Sequence, residues 1–257
     1  MPHREFYSLP EVYDIAFDYR NVPRECDFLS ECYAALNGRS PESVLELACG
    51  PGAHAREFDR RGVRTAALDL SESMVQYLRE RTSPVCELLV GDMADFRLTA
   101  PVDLAFTLID SLPYLTTNQQ LISHFCSVRE ALTPGGVYVV ELRHPRDILT
   151  GDRSTLNTWS MERDGLQVTV EWGAEVRPDP VAQTEEVLSR LTVEKDGLRE
   201  VHESWGTLRP LLPLELEALA EAAGGWRVTA RYGDLKRSQP LDNSDQSWRC
   251  VLVFQKV

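Results

Sequence analysis

The chain has no C-x-x-C pair, no run of basic residues, no apolar stretch long enough to span a bilayer, and no internal repeat or low-complexity tract. Each absence excludes a class of protein. Its six cysteines, Cys26, Cys32, Cys49, Cys86, Cys126 and Cys250, are scattered, several of them in apolar stretches, which disfavours a zinc site and suits free thiols packed as small hydrophobes. Arg60-Arg61 and Lys236-Arg237 are isolated pairs, and 27 Lys+Arg against 40 Asp+Glu leave a net charge of −13. Such a field repels polyanions, so no nucleic-acid partner is expected. Met1-Pro2-His3-Arg4-Glu5 lacks the apolar core of a secretory signal. A reduced, cytoplasmic protein with no membrane partner is the expectation. What is there is ordinary for a globular chain: 257 residues, 43% hydrophobic and 26% charged, enough for one large domain or a core with a small appendage.

Between Ser43 and Leu142 short apolar runs alternate with amphipathic stretches, the signature of repeated strand-helix units and a parallel sheet. The runs predict strands at Val44–Leu47, Val63–Asp69, Cys86–Gly91, Val102–Ile109 and Val137–Leu142. A helix is predicted from Thr117 to Leu132, opened by a Thr117/Gln120 capping box and closed by Pro134-Gly135-Gly136. Beyond Pro145 the period drops to two: Val168, Val170, Trp172, Ala174 and Val176 alternate, as do Val187, Ser189, Leu191 and Val193. These read as antiparallel strands, with Asp196-Gly197 as a hairpin turn and Val201–Leu208 returning. A helix at Pro213–Ala223 and strands at Trp226–Tyr232 and Trp248–Phe254 complete the chain. The aromatic-rich stretch from Phe6 to Leu36 is expected to be helical in parts, with Pro10 and Pro23 as breaks.

The densest signal is Glu46-Leu47-Ala48-Cys49-Gly50-Pro51-Gly52, a strand running into a glycine turn. Glycine there admits positive φ and a close ligand. Glu46 is a carboxylate in an apolar strand, costly to bury without a cation or several donors, and a positively charged ligand group nearby would account for it. Asp69 ends the second strand 17 residues after Gly52, at about the spacing where an acidic residue meets ribose hydroxyls. The third strand ends in Gly91-Asp92-Met93, where Asp92 either accepts from an adenine amino group or caps a turn. Three such strand ends share one carboxyl edge of the sheet, where ligands bind.

With these motifs, the stretch from Tyr13 to Leu142 resembles the class I S-adenosylmethionine-dependent methyltransferases, with Ala48 where the family's first loop glycine stands. The resemblance implies an α/β fold: a Rossmann-like, seven-stranded, mostly parallel sheet flanked by helices, with a small antiparallel β insertion after the fifth strand. It further implies a helical cover over residues 1–40, a cofactor-binding domain over 41–146 and 210–257, and an insertion over 147–209 above the substrate. By the same resemblance Ala48, Gly50 and Gly52 pack on the methionine moiety and ribose, Asp69 holds the ribose, Asp92 and Met93 the adenine, and Ile109 lies beside the methionine part. Tyr13 and Arg20 resemble a tyrosine and arginine that close over S-adenosylmethionine in some small-molecule members. The protein is then a monomer or homodimer acting on a small molecule.

Methyl transfer is an in-line displacement that asks mainly for alignment. A nucleophilic oxygen or a protonated amine also needs a base. Asp110, Tyr114 and His144 follow strand ends and are the catalytic candidates, each with a plainer reading: Asp110 as a turn cap, Tyr114 packed under a helix, His144 structural before Pro145. Trp172, Trp205 and Arg209 are candidates to line a substrate cavity, or belong to the core. Two rivals stand beside the methyltransferase. Gly50-Pro51-Gly52-Ala53-His54-Ala55 fits the G-x-G-x-x-A of an NAD(P)-dependent oxidoreductase, although Glu46 beside a pyrophosphate site would repel it. The other is a non-catalytic cofactor-binding module.

Overall fold

The computed structural model describes residues 6–150 and 157–257. Residues 1–5 of the expected N-terminal cover, and 151–156 of the expected insertion, lie outside the described residues. The chain opens with α1 (Pro10–Ala16) and α2 (Val22–Asn37). Pro10 and Pro23 begin these helices instead of breaking them, because in a first turn the missing N–H has no partner to lose. The Asn21 side chain caps α2 by accepting from Arg24 N, and Gly38, at φ 70°, ends it.

The chain then alternates β1 (Ser43–Leu47), α3 (Ala53–Arg60), β2 (Arg64–Asp69), α4 (Glu72–Arg79), β3 (Glu87–Val90), β4 (Val102–Thr107), α5 (Asn118–Ala131) and β5 (Leu132–Arg143). The capping box of Thr117 and Gln120 is present at the start of α5. At its end the expectation is corrected: β5 follows at once and absorbs Pro134-Gly135-Gly136. Proline without an N–H and Gly135 at φ 74° make an irregular strand entry, seen as a register shift between Val102 and Leu104 of the neighbouring strand. A short helix α6 (Pro145–Leu149), not foreseen from the sequence, leads to a second sheet.

That sheet comprises β6 (Asn157–Arg163), β7 (Leu166–Asp179), β8 (Thr184–Lys195) and β9 (Leu198–Leu208), antiparallel in that order. Asp196-Gly197 forms the expected hairpin turn. Asp164-Gly165 forms another, and in both dipeptides both residues have positive φ. The strand β6, Asn-Thr-Trp-Ser-Met-Glu-Arg, was not anticipated, since only Trp159 and Met161 alternate in an otherwise polar edge strand. After α7 (Pro213–Ala223) the chain returns to the main sheet as β10 (Trp226–Tyr232) and β11 (Arg249–Lys256).

The main sheet has seven strands in the order β10-β11-β5-β4-β1-β2-β3, with β11 antiparallel to β5 and β10 and the other pairs parallel. Every residue of β1 and β4 is buried, as central strands covered on both faces must be. One face packs Leu47, Phe125, Tyr138 and Phe254, the other Leu29, Phe58, Phe106 and Val139. A third cluster joins Ile15 and Ala16 of α1 to Val168, Val170 and Leu191 of the second sheet. Strand order reverses between β1 and β4, and the crevice at their carboxyl ends is where such sheets bind ligands.

Candidate active site

A cavity of about 1660 Å³ opens at that edge. It exceeds the roughly 300–1,000 Å³ of ordinary single-ligand pockets, which leaves room for a cofactor and a second molecule. Its floor is the turn after β1. Ala48, Gly50 and Gly52 all have positive φ, at 51°, 52° and 70°. At Gly52 an added Cβ would fall 2.5 Å from Leu78 Cδ1, so Gly52 packs against α4 and is not among the residues lining the cavity, whereas Ala48 and Gly50 are. Asp69 is held by two backbone donors, Gly50 N at 2.7 Å to Oδ2 and Ser71 N at 2.8 Å to Oδ1. Burial nevertheless raises its pKa, more than these donors lower it. A ligand bringing further donors to this wall of the cavity would offset that desolvation.

Glu46 also lines the cavity, but the charge that balances it belongs to the protein. His54 Nδ1 lies 3.3 Å from Glu46 Oε1, and Ala55 N donates to Oε2 at 2.8 Å. The ligand cation invoked for Glu46 is therefore replaced by a histidine at the start of α3. The other ring nitrogen of His54 lies 2.7 Å from Glu25 Oε2. Arg20, in the turn before α2, donates through Nε to Glu25 at 3.0 Å and through Nη2 to Glu141 of β5 at 3.0 Å. Glu141 also accepts from Arg249 and from Ile109 N, and its cationic partners hold its pKa down at about 2 despite burial. Arg20 thus faces the cavity as part of a buried chain of alternating charge.

Asp92 and Met93 stand on the opposite wall. Asp92 Oδ1 accepts from Ala94 N at 2.8 Å, so the turn-capping geometry is present in a residue that also lines the cavity. The Met93 carbonyl accepts from Nδ1 of His124 at 2.8 Å, whose Nε2 lies 2.7 Å from Tyr138 Oη, itself 2.8 Å from Thr107 Oγ1. Burial lowers the His124 pKa to about 4, so the ring is neutral and the chain of bonds has one direction.

The three catalytic candidates separate. Tyr114 lines the cavity, its hydroxyl 2.6 Å from that of Tyr7, a residue sequence reasoning did not single out. Asp110, at φ 50° beside Ile109 at φ 56°, turns away: it accepts from Arg143 N at 3.1 Å, pairs with Arg143 Nε at 3.0 Å, and is not among the residues lining the cavity. Burial raises its pKa to about 6. His144 is buried and also outside that lining. Its Nδ1 accepts from Arg146 N at 3.1 Å as the cap of α6, so Nε2 carries the proton and donates to Asp242 O at 3.0 Å. With both nitrogens committed to main chain, the structural reading of His144 is the one the geometry supports. Trp172 lines the cavity; Trp205, under the Arg177 guanidinium, and Arg209, bound to Glu215, do not. Ile109, Tyr13 and the small Gly50 complete the wall beside Arg20.

Residues 44–136 match the family model described as a methyltransferase domain. Over 133 residues the chain is 37% identical to dTDP-3-amino-3,4,6-trideoxy-alpha-D-glucopyranose N,N-dimethyltransferase of Streptomyces venezuelae, covering 51% of this chain and 55% of that enzyme. The chain spans about half the length of the curated relatives it matches. Among solved structures, Streptomyces venezuelae DesVI superposes with a TM-score of 0.74 at 26% identity, covering 96% of this chain and 98% of that one. The S-adenosylmethionine-bound amino pentose methyltransferase CalS10 of Micromonospora echinaspora superposes with a TM-score of 0.75 at 21% identity, over 96% and 97%, and shows the shared fold. With its glycine turn, acidic strand ends and sheet order, the chain carries a methyltransferase domain over residues 44–136, in a fold similar to that of S-adenosylmethionine-dependent methyltransferases.

Proposed function

We propose that this protein transfers a methyl group from S-adenosylmethionine to an amine of a small molecule, with an amino sugar carried on a nucleotide as the substrate class. The observation that carries the reading is the cavity itself. It lies at the strand-order reversal, is walled by Asp69, Asp92 and the turn residues Ala48, Cys49, Gly50 and Pro51, and has space for two molecules. The desolvated Asp69 carboxylate fits a ribose diol, which supplies the donors it lacks, and Asp92 with Met93 fits an adenine edge. The aminosugar N,N-dimethyltransferase likeness supports the substrate class.

When bound, S-adenosylmethionine supplies an electrophilic methyl group. The protein's part is to align and to exclude water: Tyr13 and Arg20 from the N-terminal segment, and Trp172 and Arg163 from the second sheet, wall the cavity from above. The second sheet then encloses the acceptor. Burial pushes the Tyr114 pKa to about 12, so at neutral pH its hydroxyl stays protonated and orients an acceptor by hydrogen bonding without abstracting a proton. With Asp110 and His144 outside the cavity lining, the site suits an amine, which is nucleophilic once neutral, better than a hydroxyl, which needs a stronger base. A reducing cytoplasm suits the six unpaired cysteines, and no described helix is long and apolar enough to cross a membrane.

Calorimetric titration with S-adenosylhomocysteine, NAD and NADP tests the cofactor, with Asp69→Ala as control. Binding of the homocysteine compound alone, lost in Asp69→Ala, is expected; binding of a nicotinamide cofactor would overturn the reading. Mass spectrometry of dTDP-linked amino sugars and their hydroxyl counterparts then tests the acceptor, with a gain of one or two methyl groups expected on the amines alone.

A further inference from the structure

The cofactor loop and the N-terminal cover meet at one buried ring, that of His54. It sits at the start of α3, two residues after Gly52, with a carboxylate at each nitrogen: Glu25 Oε2 of α2 at 2.7 Å from Nε2, and Glu46 Oε1 of β1 at 3.3 Å from Nδ1. Both carboxylates already act as acceptors elsewhere. Glu25 takes Arg20 Nε on both oxygens, at 3.1 and 3.0 Å, and Glu46 Oε2 takes Ala55 N. A neutral imidazole would turn a lone pair toward one of these oxygens, at a ring only 2% exposed.

We infer that His54 is a lasting imidazolium and a positioning residue for the cofactor site, its two N–H groups pinning Glu25 of the cover to Glu46 of β1, just before the glycine turn. The inference rests on the methyltransferase reading for what it positions, and on the ring's surroundings for its charge. Charge balance supports it. Glu25, Glu46 and Glu141 are matched by Arg20, Arg249 and a protonated His54, whereas a neutral ring would leave one uncompensated negative charge in the buried chain. The other groups around the ring do not supply that charge. The Cys26 thiol of α2, its pKa raised by burial, contacts the His54 carbonyl oxygen and not the ring; β4 presents the Phe106 ring; and Glu57 within α3 is paired with Arg60 and Arg61. Opposed by burial, the bonds to Glu25 and Glu46 still raise the His54 pKa to about 9. The consequence is mechanical. Arg20 is fixed through Glu25, and the first turn of α3 through Glu46, so loss of the ring's charge loosens both sides of the methionine end of the cavity.

The test is nitrogen-15 NMR of the full chain with labelled histidine, the His54 signal being identified by its loss in His54→Gln. Imidazolium shifts on both ring nitrogens at neutral pH, titrating at about pH 9, are expected; a neutral ring at pH 7 overturns the inference whatever the protein binds. For the positioning role, His54→Gln should weaken S-adenosylhomocysteine binding at least about tenfold, raising the cofactor KM far more than it lowers kcat. Glu25→Gln should cost less in the His54→Gln background than in the wild type. Unchanged affinity in a folded His54→Gln protein overturns the positioning role. Wild-type protein that binds no S-adenosylhomocysteine overturns the cofactor reading and this role with it, while the spectrum still decides the charge. If His54→Gln does not fold, the same signal is identified by its shift in Glu25→Gln.

Discussion

Arg163 of the second sheet reaches Asp14 of the N-terminal helix, Nη1 to Oδ2 at 2.9 Å, and through that contact two separately hydrogen-bonded sheets share one lid. Asp14 also pairs with Arg56 of α3 and accepts from the Tyr77 hydroxyl of α4 at 3.1 Å. Nearby, Trp159 Nε1 donates to Ala16 O at 2.6 Å. Helix α1, which carries Tyr13 to the cavity, is thereby held from below by the methyltransferase domain and from above by β6.

Removing that hub should separate the lid from both supports. Asp14→Ala leaves two guanidinium groups without their shared carboxylate, both partly exposed, so the expected cost is about 1–3 kcal/mol in urea denaturation. S-adenosylhomocysteine affinity should fall as well, because Tyr13 loses its fixed position. An Asp14→Ala protein with wild-type affinity would show that α1 does not cover the cofactor.

Ala48 occupies a left-handed backbone position, φ 51°, that costs a residue with a Cβ about 1–2 kcal/mol. Ala48→Gly should remove that strain while adding about 0.4–1 kcal/mol of unfolded-state entropy. A net gain between zero and about 1.6 kcal/mol is expected in the same denaturation experiment. Ala48→Val should destabilise, since a β-branched side chain tolerates this conformation least.

His124 supports the loop of Asp92 and Met93 from behind. His124→Phe leaves the Met93 carbonyl without this donor and the Tyr138 hydroxyl with Thr107 Oγ1 alone, at an expected cost of about 1–3 kcal/mol. Adding Tyr138→Phe to it should cost less than Tyr138→Phe alone, because the hydroxyl has by then lost its acceptor. A double-mutant cycle measures this coupling, and additive costs would refute the relay.

The two buried histidines should give stability opposite slopes with pH. For His124 the folded pKa is about 4 against an ordinary histidine value of 6.5, so the unfolded chain binds the proton first and stability falls as pH drops from 6.5 toward 4. For His54 the folded value is about 9, so its contribution is complete below 6.5 and is lost as pH rises through 9. Asp110, raised to about 6, gives an opposing slope on the acid side, so each histidine is read as the difference between variant and wild type in denaturation between pH 4 and 10. The difference for His124→Phe should change between pH 4 and 6.5, and that for His54→Gln between 6.5 and 9.

Much of the fold was legible because its signals are local. Strand period, the Thr117/Gln120 box and Asp196-Gly197 depend on residues within a few positions, and the structure has elements where those signals lie. The same holds for the order Glu46, Asp69, Asp92 along successive strand ends, which chain spacing alone brings to one edge of a parallel sheet. Edge strand β6 and helix α6 escaped because β6 has only Trp159 and Met161 as an apolar stripe and α6 is five residues long; β6 is held by pairing with β7 and by the packing of those two side chains.

What the chain by itself determined was the kind of domain and the edge at which it binds, since periodicity and turn chemistry are written in neighbouring residues. Tertiary structure decided which side chains share the cavity and which charges meet. Tyr7 finds Tyr114 across 107 residues, His54 finds Glu25 across 29, and Asp110 and His144, adjacent in sequence to the right strand ends, are turned into other contacts. A strand end sets where a side chain starts. The partners packed around it set where it points and whether it keeps its charge.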